Sequence, residues 1–132
     1  MEKRKVTIEY PLETKSPGII WQLISTAEGL QKWIADYVSE ADGKMTFTWG
    51  EAWTEQDTKT SQLIAREKNS RIRMKWEHDN NDATFWEMRI DRSELTGHLT
   101  LTITDFAEDE DKDYLHDLWN DNLRRLHLIS GL

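Results

Sequence analysis

The feature that most constrains the fold is the amphipathic pattern at the end of the chain. Placed on a helix at about 100° per residue, the segment EDEDKDYLHDLWNDNLRRLHLISGL gathers its apolar side chains into one stripe: Leu115, Leu118, Trp119, Leu123, Leu126 and Ile129. Charged side chains, among them Asp117, Asp121 and Arg124, lie opposite. A long helix of this kind needs an apolar surface to pack against, and the rest of the chain must supply it.

The middle of the chain predicts a sheet with one apolar face. Three segments alternate apolar with polar side chains, and their apolar members are Met45, Phe47 and Trp49, then Ile72, Met74 and Trp76, then Leu99, Leu101 and Ile103. A period of two is typical of half-buried strands in antiparallel sheets. The Asn- and Asp-rich connection HDNNDA is typical of a hairpin turn. These patterns together indicate an antiparallel meander.

The first 35 residues predict a strand and two short helices. RKVTIEY alternates like the strands above, and SPGIIWQLIS places Ser16 as an N-cap before Pro17 at the first helical position. Ser25 and Glu28 have the spacing of a capping box, which predicts a second helix. The fold class is therefore α+β, in which the terminal helix covers the apolar face of the sheet.

Composition limits the classes of protein to which the chain can belong. Its 132 residues suit a single domain, residues 1–132. The net charge of −8 disfavours nucleic acid as a partner, because phosphates would be repelled. No apolar run approaches the length of a membrane span, so we expect no integral membrane association. The absence of cysteine fits a reducing compartment, and a cytoplasmic location is the expectation.

The sequence offers no recognisable catalytic or metal site. His116 and His127 are too far apart on the terminal helix to share a metal ion. His78 lies beside Asp79 and Asp82, where a solvated turn is favoured over a metal site. With no cofactor-binding loop or nucleophile motif either, the expectation is no cofactor, no metal and no catalytic residue, and an enzyme is the less favoured class.

At this point the chain resembles the START-like, helix-grip (SRPBCC-type) superfamily, in the branch of the activator of the heat-shock ATPase. The similarity is carried by IIWQLISTAEGLQKWIADYV, by SQLIAREKNSRIRMKW, which ends in Trp76, and by DFAEDEDKDYLHDLWNDNLRRL, which holds Trp119 and Leu126. The resemblance implies a curved antiparallel sheet of six to seven strands that grips the terminal helix around a cavity. In relatives this cavity binds lipids, sterols or polyketides, or is nearly closed in members that bind chaperones.

The candidate ligand-binding residues are large apolar side chains on the inner face of the sheet and two residues of the terminal helix. They are Phe47, Trp49, Trp53, Met74, Trp76, Trp86, Met88, Trp119 and Asn122. Aromatic rings and flexible thioethers suit an adaptable apolar cavity. The same alternation also suits a filled core, because a buried ring stabilises the fold without any ligand. Asn122 interrupts the apolar stripe, and its amide must bond a backbone group or face a cavity.

One strand has two possible orientations. If Trp86 and Met88 face inward, Glu87 and Arg89 face solvent, and this is the favoured interpretation. In the opposite register the charged pair would enter the cavity and indicate acid–base chemistry or capture of an anion.

Three functional hypotheses follow. The first is non-enzymatic binding of a small hydrophobic or amphipathic ligand between the sheet and the terminal helix. The second is a module that interacts with a chaperone through its surface, similar to activators of the heat-shock ATPase. The third is an enzyme similar to polyketide cyclases and aromatases. The sequence does not determine the oligomeric state.

Overall fold

A computed structural model describes residues 3–51 and 53–132. Within these residues, seven strands and three α-helices follow one another in the predicted order. The strands are β1 (Arg4–Pro11), β2 (Tyr37–Ala41), β3 (Lys44–Trp49), β4 (Asp57–Glu67), β5 (Arg71–Trp76), β6 (Trp86–Arg92) and β7 (Leu99–Ala107). The helices are α1 (Pro17–Ser25), α2 (Ala27–Leu30) and α3 (Lys112–Ser130), and a 3-10 turn at Asp109–Asp111 precedes α3.

The strands form one curved antiparallel sheet in the order β1-β7-β6-β5-β4-β3-β2. Strands β2 to β7 are consecutive neighbours, and β1 joins the edge beside β7, with Ile8 opposite Ile103. Side chains alternate between the two faces of a strand, so every second residue of β7 counted from Ile103 lies on the same face as Ile103. This is the inner face of the sheet, beneath α3. The predicted α+β class, the curved sheet and the two short helices after β1 are confirmed.

The connection between α1 and α2 differs from the predicted capping box by one residue. Thr26 is the N-cap of α2, and its Oγ1 accepts a hydrogen bond of 2.9 Å from the backbone N–H of Gly29. Ser25 is still the last residue of α1, and its hydroxyl donates to the carbonyl of Trp21 at 2.6 Å. The box predicted from Ser25 and Glu28 is therefore wrong, because a buried serine inside a helix bonds back to the preceding turn.

Helix α3 buries a narrower stripe than its sequence pattern predicts. Trp119, Leu123 and Leu126 are buried, whereas Leu118 is 41% exposed and Ile129 is 49% exposed. Since α3 covers only one face of one sheet, the margins of the stripe stay in contact with solvent. The helix ends at Gly131, whose left-handed backbone (φ 76°) allows its N–H to bond the carbonyl of His127 at 2.8 Å.

Trp86 occupies the centre of the core. Its ring stacks on that of Trp76 with centroids 5.1 Å apart, and the rings of Phe47 and Trp119 pack at 5.5 Å and 6.1 Å. Its indole N–H donates to the buried hydroxyl of Ser61 at 2.7 Å. The middle of the sheet is therefore densely filled and its polar atoms are satisfied.

The outer face of the sheet carries a buried ion cluster. Trp86 faces inward as predicted, and Glu87 lies on the opposite face, where it accepts hydrogen bonds of 3.0 Å from both Arg71 and Arg73. Glu87 is only 3% exposed, so its predicted exposure to solvent is wrong: the two long arginine side chains from β5 cover it. Arg89, on the same face, is exposed as predicted.

Candidate functional site

A cleft of about 370 Å³ opens between α3 and the part of the sheet where β5 ends and β6 begins. Its apolar lining consists of Trp49, Trp76, Phe85, Phe106, Leu115 and Leu118, with the ring of Tyr114 beside them. At about 30 Å³ per molecule this space would hold roughly a dozen waters. It falls at the lower end of the roughly 300–1,000 Å³ typical of small-molecule sites.

The structure divides the candidate residues into three groups. Three of them line the cleft: Trp49, Trp76 and Asn122. Five are buried in the core beneath it: Phe47, Met74, Trp86, Met88 and Trp119. Trp53 is 82% exposed in the connection between β3 and β4 and does not line the cleft. The division follows position along the strands, because Trp49 and Trp76 are the last residues of β3 and β5.

The two tryptophans of the cleft wall are held in place by their neighbours. Trp49 donates its indole N–H to the carbonyl of Ile34 at 3.0 Å, and Trp76 stacks almost parallel on Trp86. The rings of Trp49 and Trp76 lie 6.4 Å apart. These contacts fix the orientation of both rings at the cleft wall.

Asn122 brings an amide to the same wall. It is buried, and its Oδ1 accepts a hydrogen bond of 2.6 Å from the guanidinium of Arg125, one turn further along α3. Of the two expectations for this residue, the position facing a cavity agrees with the structure, and the bond to a backbone group is wrong, because the partner is the side chain of Arg125.

Asp105 is the functional candidate that sequence reasoning missed. It continues the inward-facing series of β7 after Leu101 and Ile103, and it lines the cleft. Its Oδ2 accepts a hydrogen bond of 2.9 Å from the indole N–H of Trp119, and its Oδ1 accepts one of 2.8 Å from the backbone N–H of Phe106. Burial raises the pKa of this carboxyl group above its ordinary value of 3.8. The sequence did contain a signal for Asp105: it is a charged residue at a position where the alternation of β7 predicts an inward-facing side chain.

A second carboxylate at the cleft, that of Asp79, has a positively charged partner. Asp79 pairs with Lys3 at 3.0 Å and accepts a hydrogen bond of 2.8 Å from the hydroxyl of Thr84. Burial raises the pKa of Asp79, but hydrogen bonds from the backbone N–H of Asn81, from Thr84 and from Lys3 outweigh this and lower it to about 2. Asp79 is therefore an anion at neutral pH and links the β5–β6 connection to Lys3, which precedes β1.

Within the described residues, one group of three acidic side chains has oxygens close enough to share a metal ion. It comprises Glu108, Glu110 and Asp111, largely exposed near the start of α3. None of the three lines the cleft. In the part of the chain that the structure describes, no helix is long and apolar enough to cross a membrane.

Comparison with known proteins places this fold in a family. The model of the START-like superfamily domain matches residues 1–132. A protein from Bacteroides fragilis, solved by NMR in solution, is 36% identical; the match covers 100% of this chain and 94% of that one, with a TM-score of 0.66. None of the curated proteins matches the sequence.

Two more distant structures share the fold. The Aha1 dimer from Colwellia psychrerythraea is 16% identical over 93% of this chain and 92% of that chain, with a TM-score of 0.71. The protein XoxI from Bacillus cereus is 14% identical over 98% and 95%, with a TM-score of 0.70. At these identities the likeness concerns the fold alone, whereas the family model spans the whole chain. The protein therefore belongs to the START-like superfamily.

Proposed function

We propose that the protein binds a small hydrophobic or amphipathic ligand, without catalysis, in the cleft between the sheet and α3. The observation that carries this proposal is that about 370 Å³ stays open beside Trp49 and Trp76 although the core next to it is filled. Hydrophobic ligands are common in the START-like family.

Trp49, Trp76 and Asn122 are the contact residues of the proposed site. Phe47, Met74, Trp86, Met88 and Trp119 support it from the core, and Trp53 lies outside it. A ligand that removes about 150 Å² of apolar surface from water would gain roughly 4 kcal/mol at about 25 cal/mol per Å². This gain corresponds to a dissociation constant of about 1 mM, and because association also costs motional freedom, we expect affinities in the millimolar range for a ligand of this size.

The test uses a substitution at the cleft and a matched one away from it. Leu118 lines the cleft and is already partly exposed, so Leu118→Asp places a charge in the apolar lining without emptying the core. Leu128, on the same helix, is 75% exposed and does not line the cleft, so Leu128→Asp is the control.

The readout is the fluorescence of N-phenyl-1-naphthylamine, an apolar probe that is uncharged at neutral pH, together with native and denaturing mass spectra. We expect the wild type and Leu128→Asp to bind the probe equally and Leu118→Asp to bind at least tenfold more weakly. Copurified mass that is released on denaturation would identify the natural ligand. If the wild type does not bind the probe, or if Leu118→Asp binds it normally, the cleft is not the site.

The chaperone-interacting alternative stays a prediction. It requires binding or stimulation of a heat-shock ATPase, which a pull-down and an ATPase assay would measure. The cyclase-like alternative also stays a prediction, and Asp105 is the cleft carboxylate on which it would depend.

A further inference from the structure

We propose that the cleft prefers ligands that carry a protonated amine on an apolar body, with the ammonium group bound by Asp105. This inference rests on the proposed function and specifies its ligand class. The apolar part would pack between Trp76 and Leu115, which line the same cleft as the carboxylate.

The first observation is that Asp105 has hydrogen-bond donors but, among the residues that the structure describes, no ion-pair partner; Lys3 acts on it only from a longer distance. Its two oxygens accept from the indole of Trp119 and from the backbone N–H of Phe106, both neutral groups. No lysine, arginine or histidine within residues 3–51 and 53–132 forms an ion pair with it. Asp105 is partly buried, and a carboxylate withdrawn from water is stabilised by a cation, so an incoming ammonium group would complete a charge pair with it.

The second observation is that the nearby cations are already engaged. Lys3 pairs with Asp79 at 3.0 Å, and Lys75 donates to the carbonyl of Thr84 at 2.9 Å and to the carbonyl of Asn81. Lys59, the third lysine of the cleft lining, lies 3.8 Å from Asp57. An anionic ligand would therefore meet the Asp105 carboxylate while these three lysines are engaged with other groups.

The third observation concerns the overall field. The chain carries a net charge of −8, which raises the local concentration of cations and lowers that of anions. Hydrogen bonds between an ammonium group and a carboxylate are also about twice as strong as those between neutral groups. Charge and hydrogen bonding thus favour an amine over an alcohol of the same shape.

The test compares three compounds of similar size: 2-phenylethylamine, 2-phenylethanol and 3-phenylpropanoate. Their affinities are measured by calorimetry and by displacement of N-phenyl-1-naphthylamine at one ionic strength. We expect the amine to bind at least tenfold more tightly than the alcohol, and the acid to bind most weakly. In Asp105→Asn the preference for the amine should disappear while the alcohol binds within about twofold of the wild type.

Asp121→Asn is the matched control, because Asp121 is an exposed carboxylate on α3 that lies 3.7 Å from Arg124 and does not line the cleft. It should leave the preference for the amine within about twofold. The asparagine amide in Asp105→Asn can still accept the bond from Trp119, and circular dichroism checks that the fold is retained.

A pH series on His78→Gln, which removes the histidine that lines the cleft, decides the question even if Asp105→Asn does not fold. The amine, with a pKa near that of lysine at about 10, stays protonated through neutral pH. Its affinity should fall as pH falls and Asp105 gains a proton, whereas the alcohol should show no such trend. The charged groups that act on Asp105 are Lys3 and Asp79, and the pKa of Asp79 is about 2. The other titratable groups of the cleft lining are Asp57, Lys59, Lys75, His78 and Tyr114. Trp119, from α3, is neutral.

The outcomes separate the two proposals. If the neutral probe binds but the amine binds no more tightly than the alcohol, or does not displace the probe, this inference is refuted and the proposed function stands. The inference is equally refuted if Asp105→Asn keeps the preference or if amine affinity does not change with pH. If the probe itself does not bind, both proposals fail.

Discussion

Replacing Gly29 by alanine adds a single methyl group and should strongly destabilise the fold. It lies in α2, directly against the end of α1. A Cβ atom built at Gly29 would be 2.0 Å from the carbonyl oxygen of Gln22 and 2.7 Å from the Cα of Leu23. Both are backbone atoms of α1, so no flexible side chain can move aside.

The size of the effect follows from the contacts that must shift. To reach a tolerable separation of 3.0 Å, the Gln22 carbonyl has to move by 3.0 − 2.0 = 1.0 Å. That carbonyl accepts a hydrogen bond of 2.7 Å from Thr26, and the neighbouring Leu23 carbonyl accepts one of 2.9 Å from Trp33. Overpacking typically costs about 1–3 kcal/mol, and two weakened hydrogen bonds add about 1 kcal/mol each. Gly29→Ala should therefore destabilise the fold by about 3–5 kcal/mol.

Urea denaturation followed by circular dichroism measures this loss. With a slope of about 2 kcal/mol per molar urea, the midpoint should fall by about 1.5–2.5 M. Gly18→Ala, in α1, is the control, because a Cβ there meets nothing within 4 Å. It should leave the midpoint unchanged or raise it slightly, since alanine favours a helix by up to about 1 kcal/mol. A loss below about 1 kcal/mol in Gly29→Ala would refute this account of how α1 and α2 pack.

Two further predictions concern buried polar contacts. Ser61→Ala leaves the indole N–H of Trp86 without an acceptor and should cost about 1–3 kcal/mol in urea denaturation. Ser39→Ala, at an exposed position of β2, should stay within about 0.5 kcal/mol, and equal losses in both variants would contradict the role of this bond. Burial raises the folded-state pKa of Asp79, but hydrogen bonds from the backbone N–H of Asn81, from Thr84 and from Lys3 outweigh this and lower it from 3.8 to about 2. Ionised Asp79 thus stabilises the fold above about pH 4, and this contribution is lost as pH falls towards 2. Asp79→Asn should therefore lower stability at neutral pH by about 1–2 kcal/mol after solvent screening and flatten thermal stability between pH 4 and 2; an unchanged pH profile would show that these contacts of Asp79 contribute nothing.

Periodicity predicted the secondary structure because side-chain direction is a local property of the backbone. The alternation in β5 and β7 placed Met74, Trp76, Leu101 and Ile103 on the face that the structure shows to be inward. The stripe of the terminal segment predicted α3 for the same reason. Boundaries were less predictable: the cap between α1 and α2 is Thr26 and not Ser25, because neighbouring hydroxyl residues compete for the same role.

The face of a strand on which a residue lies did not by itself predict how exposed its side chain is to solvent. Glu87 lies on the outer face of β6, where side chains are usually solvated, yet Arg71 and Arg73 from the adjacent strand cover it. The pairing of β5 with β6 that brings these three side chains together is non-local, and nothing in the sequence around Glu87 indicates it.

The sequence by itself determined the α+β class, the antiparallel sheet, the terminal helix and the inner face of each strand. Only the tertiary structure decided which inner-face residues border open space. Phe47 and Trp49 have the same parity on β3, but Phe47 lies in the core and Trp49 lines the cleft. The tertiary structure also brought Asp105 of β7 beside Trp119 of α3. The physical reason is that a cleft depends on how far α3 stands from the end of the sheet, and this distance is set by packing between residues far apart in the chain.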